Sequence, residues 1–133
     1  MTAIYGKFSG SALSTAVGGR VYLDQAPEEG AEYPYVVFFI VSSVPEKTFT
    51  EDFEDTAIQF SLFSASKSAA EITAIYSALD ALFDECALTI TSDMLLRMHR
   101  TNLTTMVEDI TVANATVGVR HWAVDYEVLI EKA

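Results

Sequence analysis

His99 and His121 are the only two histidines in the chain, and histidine is the side chain whose ordinary pKa suits proton transfer near neutral pH. They stand 22 residues apart and outside any catalytic motif. A metal site would want a His-x-His or His-x3-His spacing, or a cysteine close by, and neither is present. Cys86 follows Asp84 and Glu85, whereas a reactive thiol needs a basic or helix N-terminal environment; it reads as a small buried hydrophobe. Glu51, Asp52, Glu54 and Asp55 are dense enough to suggest calcium. The D-x-D-x-D-G spacing and its turn-forming glycine are missing, so a solvated acidic tip is the better reading. Gly18-Gly19 belongs to no phosphate loop, and no serine lies in a G-x-S-x-G elbow. No catalytic residue, metal ligand or cofactor is expected, and an enzyme is the weakest functional class.

Composition points elsewhere. Half of the 133 residues are hydrophobic and 20% are charged, below the roughly 25% of an ordinary soluble domain. One domain of this length can bury a real core, yet the apolar excess suggests further surface to hide against other chains. The formal charge is −11, from 19 acids against 8 bases. Such a chain has no electrostatic footprint for gripping nucleic acid and would be repelled by anionic membranes. A single cysteine excludes an internal disulfide. The N-terminus lacks the basic and apolar regions of a signal peptide, and the run Tyr35 to Val41 is far shorter than the ~20 residues of a membrane helix. The expected setting is the cytoplasm.

The elements follow from periodicity and punctuation. A short amphipathic helix is expected over residues 2–17, ended by Gly18-Gly19, with a short strand at Arg20-Val21-Tyr22. Asp24 to Glu32 reads as a polar loop. Pro34 opens a strand over Tyr35 to Val44 that is apolar on both faces, the pattern of a strand covered on both sides. Residues 45–55 interrupt it, and Thr56 to Ser64 alternates as its hairpin partner. Ser66 to Glu85 is the clearest helix, with Ser68 and Glu71 at capping-box spacing. Its apolar stripe is Ile72, Ile75, Tyr76, Leu79, Leu82 and Phe83. Ala87 to Thr91, Met94 to Leu103 and the long Ala115 to Ile130 complete the strands, with 107–114 ambiguous. The fold class is α+β: a single antiparallel sheet with a long hairpin and one main helix packed on a face, all in one domain spanning 1–133.

Phe49 and Phe53 lie among charges in the hairpin tip, and aromatic side chains in such loops often anchor interfaces. Folding back of both rings onto the hairpin is the competing reading.

The stretch Ala16-Val17-Gly18-Gly19-Arg20-Val21-Tyr22, a Pro-containing loop, and Tyr33-Pro34-Tyr35-Val36-Val37 resembles the opening of a family of tail-completion proteins from long-tailed bacteriophages. Ser42 to Thr48, Ile58 to Phe63, and the helix from about Ser66 to Phe83 fit the same family. Its members are similar to tail-terminator and head–tail joining proteins. The resemblance implies a homo-hexameric ring that caps the tail tube and joins it to the head connector, with DNA passing through the lumen without specific binding. It implies a virion protein of the tail or neck, assembled in the host cytoplasm. Its partners would be further copies of itself, the tail tube protein and the connector protein. Interface roles are expected for Lys47, Phe49, Glu51, Asp52, Phe53 and Glu54 in the hairpin tip. Arg20 and Tyr22 match the family motif and are expected either at an interface or in a structural role. A head-completion or connector adaptor of the phage neck is the near alternative. A monomeric small-ligand-binding α+β domain is the alternative of a different class.

Overall fold

The computed structural model describes residues 2–8, 10–24, 33–47, 52–66, 68–84, 94–112 and 115–132. Among the described residues three helices, α1 (Thr2–Phe8), α2 (Ala12–Ala16) and α3 (Ala70–Phe83), accompany five strands. These are β1 (Val21–Leu23), β2 (Tyr35–Lys47), β3 (Asp52–Ser64), β4 (Met94–Val112) and β5 (Ala115–Lys132). They form one sheet in the order β1-β2-β3-β5-β4. Four strands are antiparallel neighbours, as expected. β1 joins the edge in parallel, Tyr22 opposite Val37, which makes the sheet mixed.

The N-terminal segment forms two short helices where one was expected. Gly10 breaks it with a φ of 73°, a left-handed conformation that costs glycine nothing. Ser11 then caps α2, its side chain accepting from Ser14 N–H. Gly18 and Gly19 stop α2 with φ of 60° and 75°. Helix α3 begins later than the capping-box reading supposed. Its N-cap is Ala69, without a side-chain cap. Glu71 Oε1 instead accepts from Ser64 Oγ, at the end of β3, at 2.6 Å. Ser68 Oγ accepts from Ala70 N–H at 3.1 Å.

The hairpin β2–β3 is longer than the interruption at 45–55 suggested, and its pairing reaches Lys47 opposite Asp52. Pro45 breaks nothing because β1 pairs only with residues 36–38. From Phe39 onward β2 is an edge strand, where a missing N–H is tolerated. β4 likewise runs on to Val112, opposite Ala115. The expected strand Ala87 to Thr91 lies outside the described residues, as do Cys86 and most of the 24–32 loop.

All three helices cover one face of the sheet. Ile4, Phe8, Leu13 and Val17 meet Ile72, Ile75, Leu79 and Phe83 over Val36, Phe38, Ile58, Phe60, Leu62, Val124 and Tyr126. Phe60 is central: its ring stacks on Phe38 and Phe83 and meets Tyr126 edge-on. Each large side chain buried there contributes roughly 1.5–3 kcal/mol. A polar latch ties α3 to the far strands. Tyr126 Oη donates to Asp80 Oδ1 at 2.9 Å, Arg100 pairs with the same carboxylate at 3.3 Å, and Asp84 accepts from Arg100 N–H. Burial, then the hydrogen bond and charge of Asp80, push the Tyr126 phenol pKa well above its ordinary value.

Candidate interaction surface

Among the described residues no helix covers the opposite face of the sheet. Side chains alternate along each strand, so Tyr22, Tyr35, Val37, Phe63, Ala123 and His121 point away from the helices. At one end of this face the rings make a continuous row across the sheet. Tyr22 meets Tyr35 edge-on at 5.9 Å, Tyr35 stacks on Phe63 at 4.8 Å, and Phe63 stacks on His121 at 4.3 Å. Tyr33 adds a tilted contact with Tyr35 at 5.3 Å. His121 Nδ1 lies 3.2 Å from Glu108 Oε1 on β4, which completes the row. Four strands and the edge beyond are thus bridged by half-buried rings that end on the exposed Glu108. Burial, and secondarily the neighbouring Tyr33, push the Tyr35 hydroxyl up to about 12.

The other half of the face is different. A bulge between Ile40 and Ser42 interrupts the β2–β3 register. Bulges re-aim the side chains beside them, and here Val41 and Val44 are more than half exposed, at 55 and 54%, while Ile40, opposite Ile58 on the helix side, is 48% exposed. Sequence patterning had the strand Tyr35 to Val44 covered on both sides. Among the described residues, helices cover Val36 and Phe38, while Val37 is buried on the other face.

The expected interface residues fall at the two ends of the sheet. Arg20 Nε donates to the Pro34 carbonyl at 2.9 Å and its Nη2 to the Tyr33 carbonyl at 3.4 Å, so it clamps β1 to the start of β2. Gly18 makes room for that clamp: a Cβ there would lie 2.9 Å from Arg20 Nη1. Tyr22 sits in the aromatic row. Lys47 and Asp52 close the described part of the hairpin as a register pair, ten residues along β2 from Val37 and so about 30 Å from Tyr22. Phe53 is half-buried on the helix-free face, opposite Glu131 of β5. Glu54 is on the other face and accepts a hydrogen bond from Ser43 Oγ. Phe49 and Glu51 lie outside the described residues. The fold therefore gathers Lys47, Asp52, Phe53 and Glu54 at one end and Arg20 and Tyr22 at the other.

His99 and His121 share the helix-free face without meeting. His99 is opposite Glu127, and His121 is six residues back along β5, about 20 Å away. Among the described residues no cluster of metal-ligating side chains occurs, and no helix is long and apolar enough to cross a membrane. The aromatic row was hidden in the sequence because its members are scattered from Tyr22 to His121. Only the strand order brings them into line.

No curated protein matches the chain. Among matching solved structures is a chain from the virion of a native gene transfer agent (GTA) particle. It aligns with a TM-score of 0.79 at 17% identity, over 98% of this chain and 92% of that one. That likeness is one of fold. Residues 2–131 match the family described as Tail completion protein gp17. The chain thus belongs to the tail completion protein gp17 family, structural proteins of phage tails.

Proposed function

We propose that this protein is a tail terminator: six copies close a ring that caps the tail tube and joins it to the head connector, and DNA passes through the lumen. One observation carries the reading. β2 is apolar on both faces, yet among the described residues helices cover only one, and Val41 and Val44 are left about half exposed beyond the aromatic row on the other. A surface of this kind in a chain of 50% hydrophobic composition is suited to burial against other chains. A heterologous ring closes by matching two different patches on each subunit. The two ends of the sheet, with Arg20 and Tyr22 at one and Lys47 to Glu54 at the other, supply two such separated patches. Arg20 acts there by positioning, since its donors hold backbone carbonyls. Tyr22 contributes ring surface directly. Phe49 and Phe53 supply contact energy at the hairpin end, and Lys47, Glu51, Asp52 and Glu54 fix register.

The charge suits the lumen. Six copies carry about −66 in all, a field that discourages DNA from adhering to the channel wall. The action is mechanical: a rigid sheet buttressed by α3 forms each wedge of the ring.

The test is a joining assay with purified heads and tails from a phage lacking this protein. Added protein should produce joined particles, and a chain deleted for residues 48–54 should fold normally yet leave heads and tails separate. Joining by the deleted chain at the wild-type level would remove the hairpin end from the interface.

A further inference from the structure

The described residues leave a strand edge open at each side of the sheet. β1 pairs with β2 only over residues 36–38, so no described strand lies beside β2 from Phe39 onward. β4 closes the other side of the sheet. Over residues 102–112 it pairs with β5 without a bulge, and that run holds no proline, lysine or arginine. Natural proteins blunt exposed edges chiefly with proline, lysine and bulges, so this edge is open to another strand. On β2 every residue from 40 to 45 is exposed. The exposed large hydrophobic side chains of the described residues are Ile40, Val41, Val44 and Val107. All four lie on these two edge strands, three on β2 and one on β4.

We propose that copies of this chain join edge to edge: β2 of one, over residues 40–44, adds to β4 of the next within residues 102–112. The strand senses suit it. β2 opposes β3, β3 opposes β5 and β5 opposes β4, so β2 and β4 run in opposite directions. A neighbour related by rotation, with the same face turned inward, therefore sets its β2 antiparallel to this β4. Backbone groups open at both edges then pair with each other, as in strand addition. Pro45 has no N–H to give and ends the added ladder, whose length of about five residues is that of an ordinary strand. Ile40 lies on the helix side, opposite Ile58, and Val107 follows Leu103, opposite Val124, on the same side. Joining the edges brings both onto one face of a continuous sheet. Composition favours this pairing over two symmetric ones. β4 paired with itself about Val107 would set Glu108 and Asp109 of one copy near those of the other, and like charges across strands repel. β2 paired with itself would leave Val107 uncovered. Residues 40–44 carry no charge, so β2 meets the acidic β4 without that penalty. The inference rests on the assembly reading and adds to it the two edges that meet.

The test is self-association of the full chain, read as mass by light scattering over a concentration series. Val41→Glu with Val44→Glu blocks the β2 edge, and Thr105→Glu with Val107→Glu blocks the β4 edge. Each variant alone should associate at least about tenfold more weakly than wild type. Mixed in equal amounts, the two should form a two-chain complex and stop there, because each keeps the edge that the other lacks. Thr73→Glu with Ser77→Glu adds the same charge at exposed positions of α3 and should associate like wild type. Circular dichroism checks folding, and Val44→Ser and Val107→Ser take over where a glutamate pair unfolds the chain. Weaker association in only one edge variant would mean a symmetric pairing of like edges and overturn the proposal. So would a mixture without the two-chain complex, or an equal loss in the α3 variant. A six-copy ring untouched by either edge variant would overturn the edge pairing and leave the assembly reading standing. A wild-type chain that stays monomeric would also overturn the edge pairing, and the ring would then be decided on tail tubes alone.

Discussion

The two faces of this sheet are built from similar residues and meet different fates. On the helix-covered face, Phe38, Phe60, Leu62, Val124 and Tyr126 are essentially inaccessible to water. Three helices and a ring cluster around Phe60 enclose them. On the other face, Tyr35, Phe63 and His121 stack in a row with no described element above them, and Val41 and Val44 are about half exposed. The first face stabilises the folded chain. The second contributes less, through its stacked rings and the buried Val37 and Ala123. The contrast teaches that apolar patterning reports where burial is wanted, not which chain provides it.

Substitutions should separate the two faces by the size of their effect on folding. Phe60→Ala removes the ring shared by Phe8, Phe38, Phe83 and Tyr126. It should cost about 3–5 kcal/mol, as large-to-small core changes do, measured by urea unfolding. Gly18→Ala should cost about 1–2 kcal/mol. It forces a side chain into the left-handed region and toward the Arg20 clamp; thermal melts would read the loss.

Tyr126→Phe removes the hydroxyl that reaches Asp80 and should cost about 1 kcal/mol at neutral pH. Its pH dependence has a definite sign. The folded phenol titrates above its unfolded value near pH 10, so the folded state holds its proton where the unfolded state has lost it. That stabilisation is complete below about pH 10 and is lost as pH rises further. Tyr35, pushed up to about 12, acts in the same direction. Melting temperatures between pH 8 and 11 should fall at the alkaline end, and less so in Tyr126→Phe.

The smallest folding effect belongs to the uncovered face. Val41→Ser with Val44→Ser should change unfolding free energy by no more than about 0.5 kcal/mol per site. The same variant should lose head–tail joining.

Much of this architecture was legible in the sequence. The apolar stripe of α3, the alternation of β3 and the run from Trp122 to Ile130 each announce their element. The glycine pair at 18–19 marks the end of α2. Other features depend on distant partners. The capping box failed because Ser64, at the end of β3, takes Glu71. The hairpin outran its charged interruption because Pro45 falls on an edge that no described strand fills. The aromatic row needs Tyr22, Tyr35, Phe63 and His121 to be aligned by a strand order that local patterning does not encode. Arg20 and Tyr22 could be picked out by motif, but the carbonyl clamp of one and the ring stack of the other are tertiary facts.

The account turns on whether six copies form one ring on a tail. The direct measurement is cryo-electron microscopy of tail tubes incubated with the purified chain, with its copy number counted by mass on the isolated complexes. A six-fold ring at one tube end, its lumen open and the β2–β3 hairpins touching a neighbouring subunit or the tube, is the expected result. Bare tube ends, or a bound copy number other than six, would contradict it.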